Sequence, residues 1–161
     1  MTQRFEKAYN ALYNAFMNDT LAKGSCKACA VGNIIADSMG GIIEIDNKFN
    51  IRCDINNTFW NAVFYTTDGE QHIDNSCNYQ YTKKCIKKLT GYSWKEMSKI
   101  EFAFEINTMI GHVEYNQCTP EQIMEDQFNG LMAVMDVLIQ LDEVKEGNSY
   151  KETFKHKFQT V

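Results

Sequence analysis

Thr119-Pro120-Glu121-Gln122 is the feature that most restricts how this chain can fold. It combines three helix-start signals. Thr can accept from a free backbone N–H, proline loses nothing at the first helical position, and Gln reaches back to the cap. From there to about Leu141 the segment is broadly apolar through Ile123, Met124, Phe128, Leu131, Met135, Leu138 and Ile139. A helix apolar over so much of its circumference must be buried, so the remaining segments have to pack around it. Its greasiest part, Leu131 to Leu141, is cut by Asp136 and is too short to span a bilayer.

The flanking segments carry their own periods. Phe5, Tyr9, Leu12 and Phe16 form one apolar stripe on a helix over 3–22, stopped by Gly24. A shorter helix over 26–39 carries Ala28, Val31, Ile34 and Ile35 and ends at Gly40-Gly41. The spacing then switches to alternation. Ile43 and Ile45 face Phe49, Ile51, Cys53 and Ile55 across the turn-like Asp46-Asn47-Lys48, which predicts a hairpin. Aromatic, β-prone residues 59–66 predict a third strand, with a short fourth at 70–73. Helix resumes over 78–89, and Ser93-Trp94-Lys95-Glu96 reads as a capping box opening a helix to about Ile110. In the tail, 148–161, Tyr150, Phe154 and Phe158 recur every fourth residue. It reads as a short docking helix or a loosely held end.

The expected fold class is α+β: predominantly helical, about five helices, with a small three-stranded antiparallel sheet inserted after the second helix. No repeat or linker divides the chain, so residues 1–161 read as a single domain. The N-terminus has no apolar stretch of the kind that directs export, which points to the cytoplasm and to reduced thiols. A net charge of −5, with only Arg4 and Arg52 against fourteen lysines, argues against DNA readout. No nucleophile elbow, P-loop, dinucleotide fingerprint or HExxH motif is present, so no catalytic residue is assigned and the balance leans away from an enzyme.

Candidate chemistry lies in four places. Cys26-Lys27-Ala28-Cys29 could be a redox pair or half of a zinc site. With no second close Cys or His pair, small cysteines packing a helix turn is the favoured reading. Glu101 and Glu105, with Glu125 and Asp126, could hold a divalent ion between two helices, although like charges four apart are also cheap on a solvated face. Lys83, Lys84, Lys87 and Lys88, followed by Lys95 and Lys99, form a local positive patch able to attract phosphates. The densest polar groups lie at the joint after the first helix. Asn10, Asn14 and Asn18 form a ladder leading to Asn18, Asp19, Thr20, Lys23 and Ser25, with Asn33 in the second helix. A second polar run, Glu125-Asp126-Gln127 and Asn129-Gly130, interrupts the apolar central helix. Polar groups there must be exposed, paired or lining a pocket.

Three blocks, LYNAFMNDTLAKGSCKACAVGNIIA (12–36), TGYSWKEMSKIEFAFE (90–105) and EDQFNGLMAVMDVLIQLD (125–142), resemble short proteins of Bacteroidota-type bacteria and their tailed phages. The resemblance brings no activity and no catalytic residue. It implies a setting, in which small accessory proteins can sequester the nucleotide signals of host immunity. The expected function is binding of a nucleotide-like small molecule without turnover and without a cofactor or metal. The expected ligand residues are Asn18, Asp19, Lys23, Ser25, Asn33, Trp60, Lys84, Lys88, Asp126, Gln127 and Asn129. Two alternatives are a metal-dependent nucleotide hydrolase built on the four acids and a protein-binding inhibitor that uses the aromatic tail. The sequence leaves the subunit number open, and a homo-oligomer is among the states it permits.

Overall fold

Residues 2–25, 27–54 and 86–159 are described by the structure, a computed structural model. The strands expected at 59–66 and 70–73 lie outside these residues, as do the first part of the helix expected over 78–89, Trp60, Lys84 and Cys26. Within them the chain is mostly helical, with one small antiparallel sheet.

Helix α1 (Gln3–Met17) starts at Thr2, whose side chain accepts from the Phe5 amide. It buries Phe5, Ala8, Ala11, Leu12, Ala15 and Phe16, while Tyr9 is half-buried. The helix stops five residues earlier than its apolar period suggests. Asp19 turns left-handed (φ 58°), and the Thr20 amide reaches back to the Ala15 carbonyl at 2.9 Å, which closes the helix end. Leu21 and Ala22 are buried all the same, but as a loop. Helix α2 (Ala30–Ser38) begins four residues later than expected, because Cys29 is its extended N-cap and accepts from the Gly32 amide at 3.3 Å.

Strands β1 (Ile43–Ile45) and β2 (Ile51–Cys53) pair with Ile43 opposite Cys53 and Ile45 opposite Ile51. The Asp46 carboxylate holds their turn by accepting from the amides of Lys48 and Asn50 at 2.8 and 2.9 Å. After a helical stretch at 86–90, α3 (Trp94–Ile106) opens with the reciprocal Ser93/Glu96 capping box. A 3₁₀ turn (His112–Gln117) leads to the Thr119/Gln122 capping box and α4 (Pro120–Asp142). Helix α4 is the centre: Leu131, Val134, Met135 and Leu138 are fully buried, and α1 and α3 both pack on it.

Gly130 lets α4 pack tightly on the end of α3, since a Cβ there would run into the side chains of Phe104 and Thr108. The scarce arginine serves the fold. Arg4 bonds the Asp142 carboxylate at 2.7 Å and the Gly91 carbonyl at 2.9 Å, while its guanidinium lies over the Tyr92 ring. The tail is docked: α5 (Gly147–Thr153) and α6 (His156–Gln159) place Tyr150 and Phe154 edge-on against the aromatic face of α1. Phe154 is fully buried, and Phe158 stacks edge-on against Phe128. Among the described residues, no helix is long and apolar enough to cross a membrane.

Candidate functional site

The joint after α1 was expected to present polar groups to a ligand, yet most of them are spent on the fold. Lys23 inserts its ammonium at the end of α3, donating to the Glu105 carbonyl at 2.8 Å and to the Thr108 carbonyl. Carbonyls at a helix C-terminus are otherwise unpaired, so a cation there is satisfied by the backbone rather than by a bound anion. The Lys23 carbonyl in turn accepts from the amide of His112 and lies 3.0 Å from its Nδ1. Asn33 is buried and donates through Nδ2 to the carbonyls of Thr20, Ala28 and Cys29, which holds the joint in shape. The Ser25 carbonyl accepts from the amides of Ala28 and Cys29.

The polar run on α4 divides in the same way. Asp126 accepts from the amides of Met109 and Ile110 at 2.7 and 3.0 Å, so its carboxylate is committed to the turn after α3. Glu125 and Asn129 are exposed. Lys88 is exposed on the 86–90 stretch, while Trp60 and Lys84 lie outside the described residues. The described members of this set do not form one constellation. Asn18 caps α1 and, with Asn14, Asn33 and Asp37, lines a shallow polar cleft of about 210 Å³ between α1 and α2.

Asp19 and Gln127 do meet, at a different cavity. A space of about 370 Å³ opens between the joint, the hairpin, the 3₁₀ turn and the start of α4. Leu21, Ile45, Phe49, Tyr115, Ile123 and Met124 give it apolar walls. Phe49 reaches it because its backbone is left-handed (φ 62°) after the Asp46 turn, and its ring stands edge-on to Tyr115 at 5.4 Å. Gln127, only 4% exposed, forms the polar floor. Its Nε2 donates to the Leu21 carbonyl at 2.6 Å and to the Tyr115 hydroxyl at 3.0 Å, which fixes the amide orientation. Gln127 Oε1 accepts from none of the described residues and is not fully enclosed, so it is reached from the cavity. Burial pushes the Tyr115 phenol above its usual range, opposed by the donors Gln127 and Lys23, so the hydroxyl stays protonated. The exposed rim carries Asp19, Asp46 and Glu121 against Lys157, which pairs with Asp19. Asp46 is held ionised by the Asn50 and Lys48 donors, which lower its pKa.

The four acids weighed as a possible metal site, Glu101, Glu105, Glu125 and Asp126, are not gathered into one. Among the described residues, no group of three or more His, Cys, Asp and Glu side chains is arranged around a common ion position. Glu101 instead turns inward toward Cys29 and the start of α2, where one carboxylate oxygen is buried without a partner. Burial, reinforced by neighbouring Glu105, pushes its pKa up to about 7, against the opposing donors Cys29 and Val31.

Sequence reasoning missed most of the cavity: Ile45, Asp46, Phe49, Tyr115 and Lys157 come from three separate segments, the hairpin, the 3₁₀ turn and the tail. The one available signal was Phe49, a large apolar residue directly after a polar turn. Comparison with protein-family models, with curated proteins and with solved structures finds no match to this chain.

Proposed function

We propose that this protein binds a small molecule in the cavity floored by Gln127 and does not transform it. The observation that carries the reading is a volume of about 370 Å³ with apolar walls and one amide at its base, Gln127, whose oxygen is accessible and accepts from none of the described residues. Ligand sites are typically of this kind and size, roughly 300–1,000 Å³ with a few fixed polar groups. Gln127 Oε1 calls for a donor, so the part of the ligand inside is an aromatic or aliphatic body bearing an N–H or O–H group. Three carboxylates against one already paired ammonium make the rim unfavourable for phosphate. The nucleotide-derived signal suggested by the resemblance to phage proteins therefore fits only base-inward, with any phosphate held outside. Nothing among the described lining residues supplies a nucleophile with an adjacent base, which favours sequestration over turnover.

Thermal shift with nucleobases, nucleosides, nucleotides and aromatic amines tests the proposal. A ligand at about 100 times its Kd adds about 2.7 kcal/mol, which is roughly 5–10 °C for a chain of this size. Nucleosides should shift more than their phosphates. Gln127→Leu and Phe49→Ala should remove the shift, and the bound ligand should be recovered intact after denaturation. If no compound shifts the melt, or if the cavity variants respond like the parent protein, the reading fails.

A further inference from the structure

On α3, Lys95, Lys99, Phe102 and Ile106 follow one another at steps of four, three and four residues, which brings them to one helix face. The opposite face, with Met97, Ile100, Ala103 and Phe104, is the one buried against the core. Phe102 and Ile106 are 64% and 57% exposed, and beyond the helix end Met109 and Val113 are 82% and 74% exposed. A single exposed apolar residue needs no explanation, but two on one helix face, followed by two more in the turn and 3₁₀ segment after it, mark a contact surface.

The charges around this stripe are polarised. Its start carries the exposed Lys95 and Lys99. At its other end the Met109 amide is bound by Asp126, exposed Glu125 is the next residue on α4, and exposed Glu114 follows Val113. Such a surface is its own complement when reversed. Turned end for end, a second copy sets lysines against the acidic end and apolar residues against each other, whereas a parallel arrangement opposes lysine to lysine. The 4-3-4 spacing is also that of a two-helix seam.

We propose that this face joins two copies of the chain, with α3 packed antiparallel on its symmetry mate and Phe102 near the two-fold axis. The contact is isologous and closes at two subunits. Lysine stems extend over the partner's apolar residues while their ammonium groups reach its acidic end. The cavity proposed above is lined by other residues, although Tyr115 and Met124 adjoin Glu114 and Glu125 in the chain; the Phe102 and Ile106 changes leave its lining untouched, so either inference can fail without the other.

Analytical ultracentrifugation of the full chain over a dilution series tests this, with circular dichroism confirming the fold of each variant. The parent protein should dimerise, and Phe102→Ser with Ile106→Ser should raise the dissociation constant at least about tenfold. Charge reversal gives a second readout. Lys95→Glu with Lys99→Glu, and separately Glu114→Lys with Glu125→Lys, should each weaken self-association, and mixing the two should restore a heterodimer. Several results overturn the proposal: a parent protein that stays monomeric up to about 1 mM, a dimer indifferent to the Phe102 and Ile106 changes, or charge variants that show no recovery on mixing.

Discussion

Replacing Gly130 with alanine tests whether the close approach of α3 and α4 organises the core. A methyl at this position would lie 2.9 and 3.0 Å from two ring carbons of Phe104, and closer still to Thr108 Cγ2. Neither neighbour can easily yield. Phe104 is fully buried, and Thr108 is 1% exposed with its hydroxyl donating to the Phe104 carbonyl at 2.8 Å. The two helices must therefore separate or the ring must leave its rotamer. Overpacking of this kind costs about 1–3 kcal/mol and, with backbone-anchored neighbours, belongs at the upper end. Against it stands the gain of about 1 kcal/mol from replacing a mid-helix glycine by alanine. The net expectation is a loss of about 1–2 kcal/mol, read as a fall in melting temperature of roughly 2–8 °C. Urea unfolding should show the midpoint lowered with the slope unchanged. The companion variant Thr108→Ser keeps the hydroxyl and removes the obstructing methyl, so Gly130→Ala in that background should cost less than it does alone. A Gly130→Ala protein as stable as its parent, or more stable, would refute the argument that this contact is close-packed.

Three further outcomes follow from buried polar groups. The raised pKa of Glu101 means that stability is fully present below about pH 4.5 and is lost as the pH rises through about 7, where the folded state must ionise a buried carboxyl. Glu101→Gln should flatten that decline between pH 5 and 8 in urea titrations, and an unchanged pH profile would count against it. Asp142→Ala removes a buried carboxylate that accepts from Arg4 and, at 2.6 Å, from the Tyr92 hydroxyl, so it should cost about 3 kcal/mol by chemical denaturation. A loss within measurement error would show that Arg4 finds water or Glu96 instead. Lys23→Met deprives two carbonyls at the end of α3 of their donor and should cost about 1–2 kcal/mol. If instead it left stability intact and abolished ligand binding, Lys23 would be a ligand residue after all.

What the sequence determined by itself is local. Both capping boxes, the extent of α4, the stripe on α1 and the hairpin at 43–53 depend on residues a few positions apart, whose spacing and hydrogen-bonding groups are visible in one dimension. Element ends were less legible. Asp19 halts α1 although Leu21 and Ala22 continue its apolar character, because those two are buried equally well as a loop against other elements.

Only tertiary structure decided which polar groups were available. Lys23, Asn33 and Asp126 look alike on paper to Gln127, yet the first three meet backbone carbonyls or amides brought from other segments, and the Gln127 oxygen, open to a cavity, accepts from none of the described residues. The partner of a buried polar group is a long-range fact. Since an unpaired one is costly, the fold claims whichever donors and acceptors it can reach, and the remainder are left for a ligand. That is why Lys23 and Asn33 of the polar joint are paired within the fold, while the candidate site joins Asp19 and Leu21 of the joint to a hairpin, a 3₁₀ turn, the start of α4 and the docked tail.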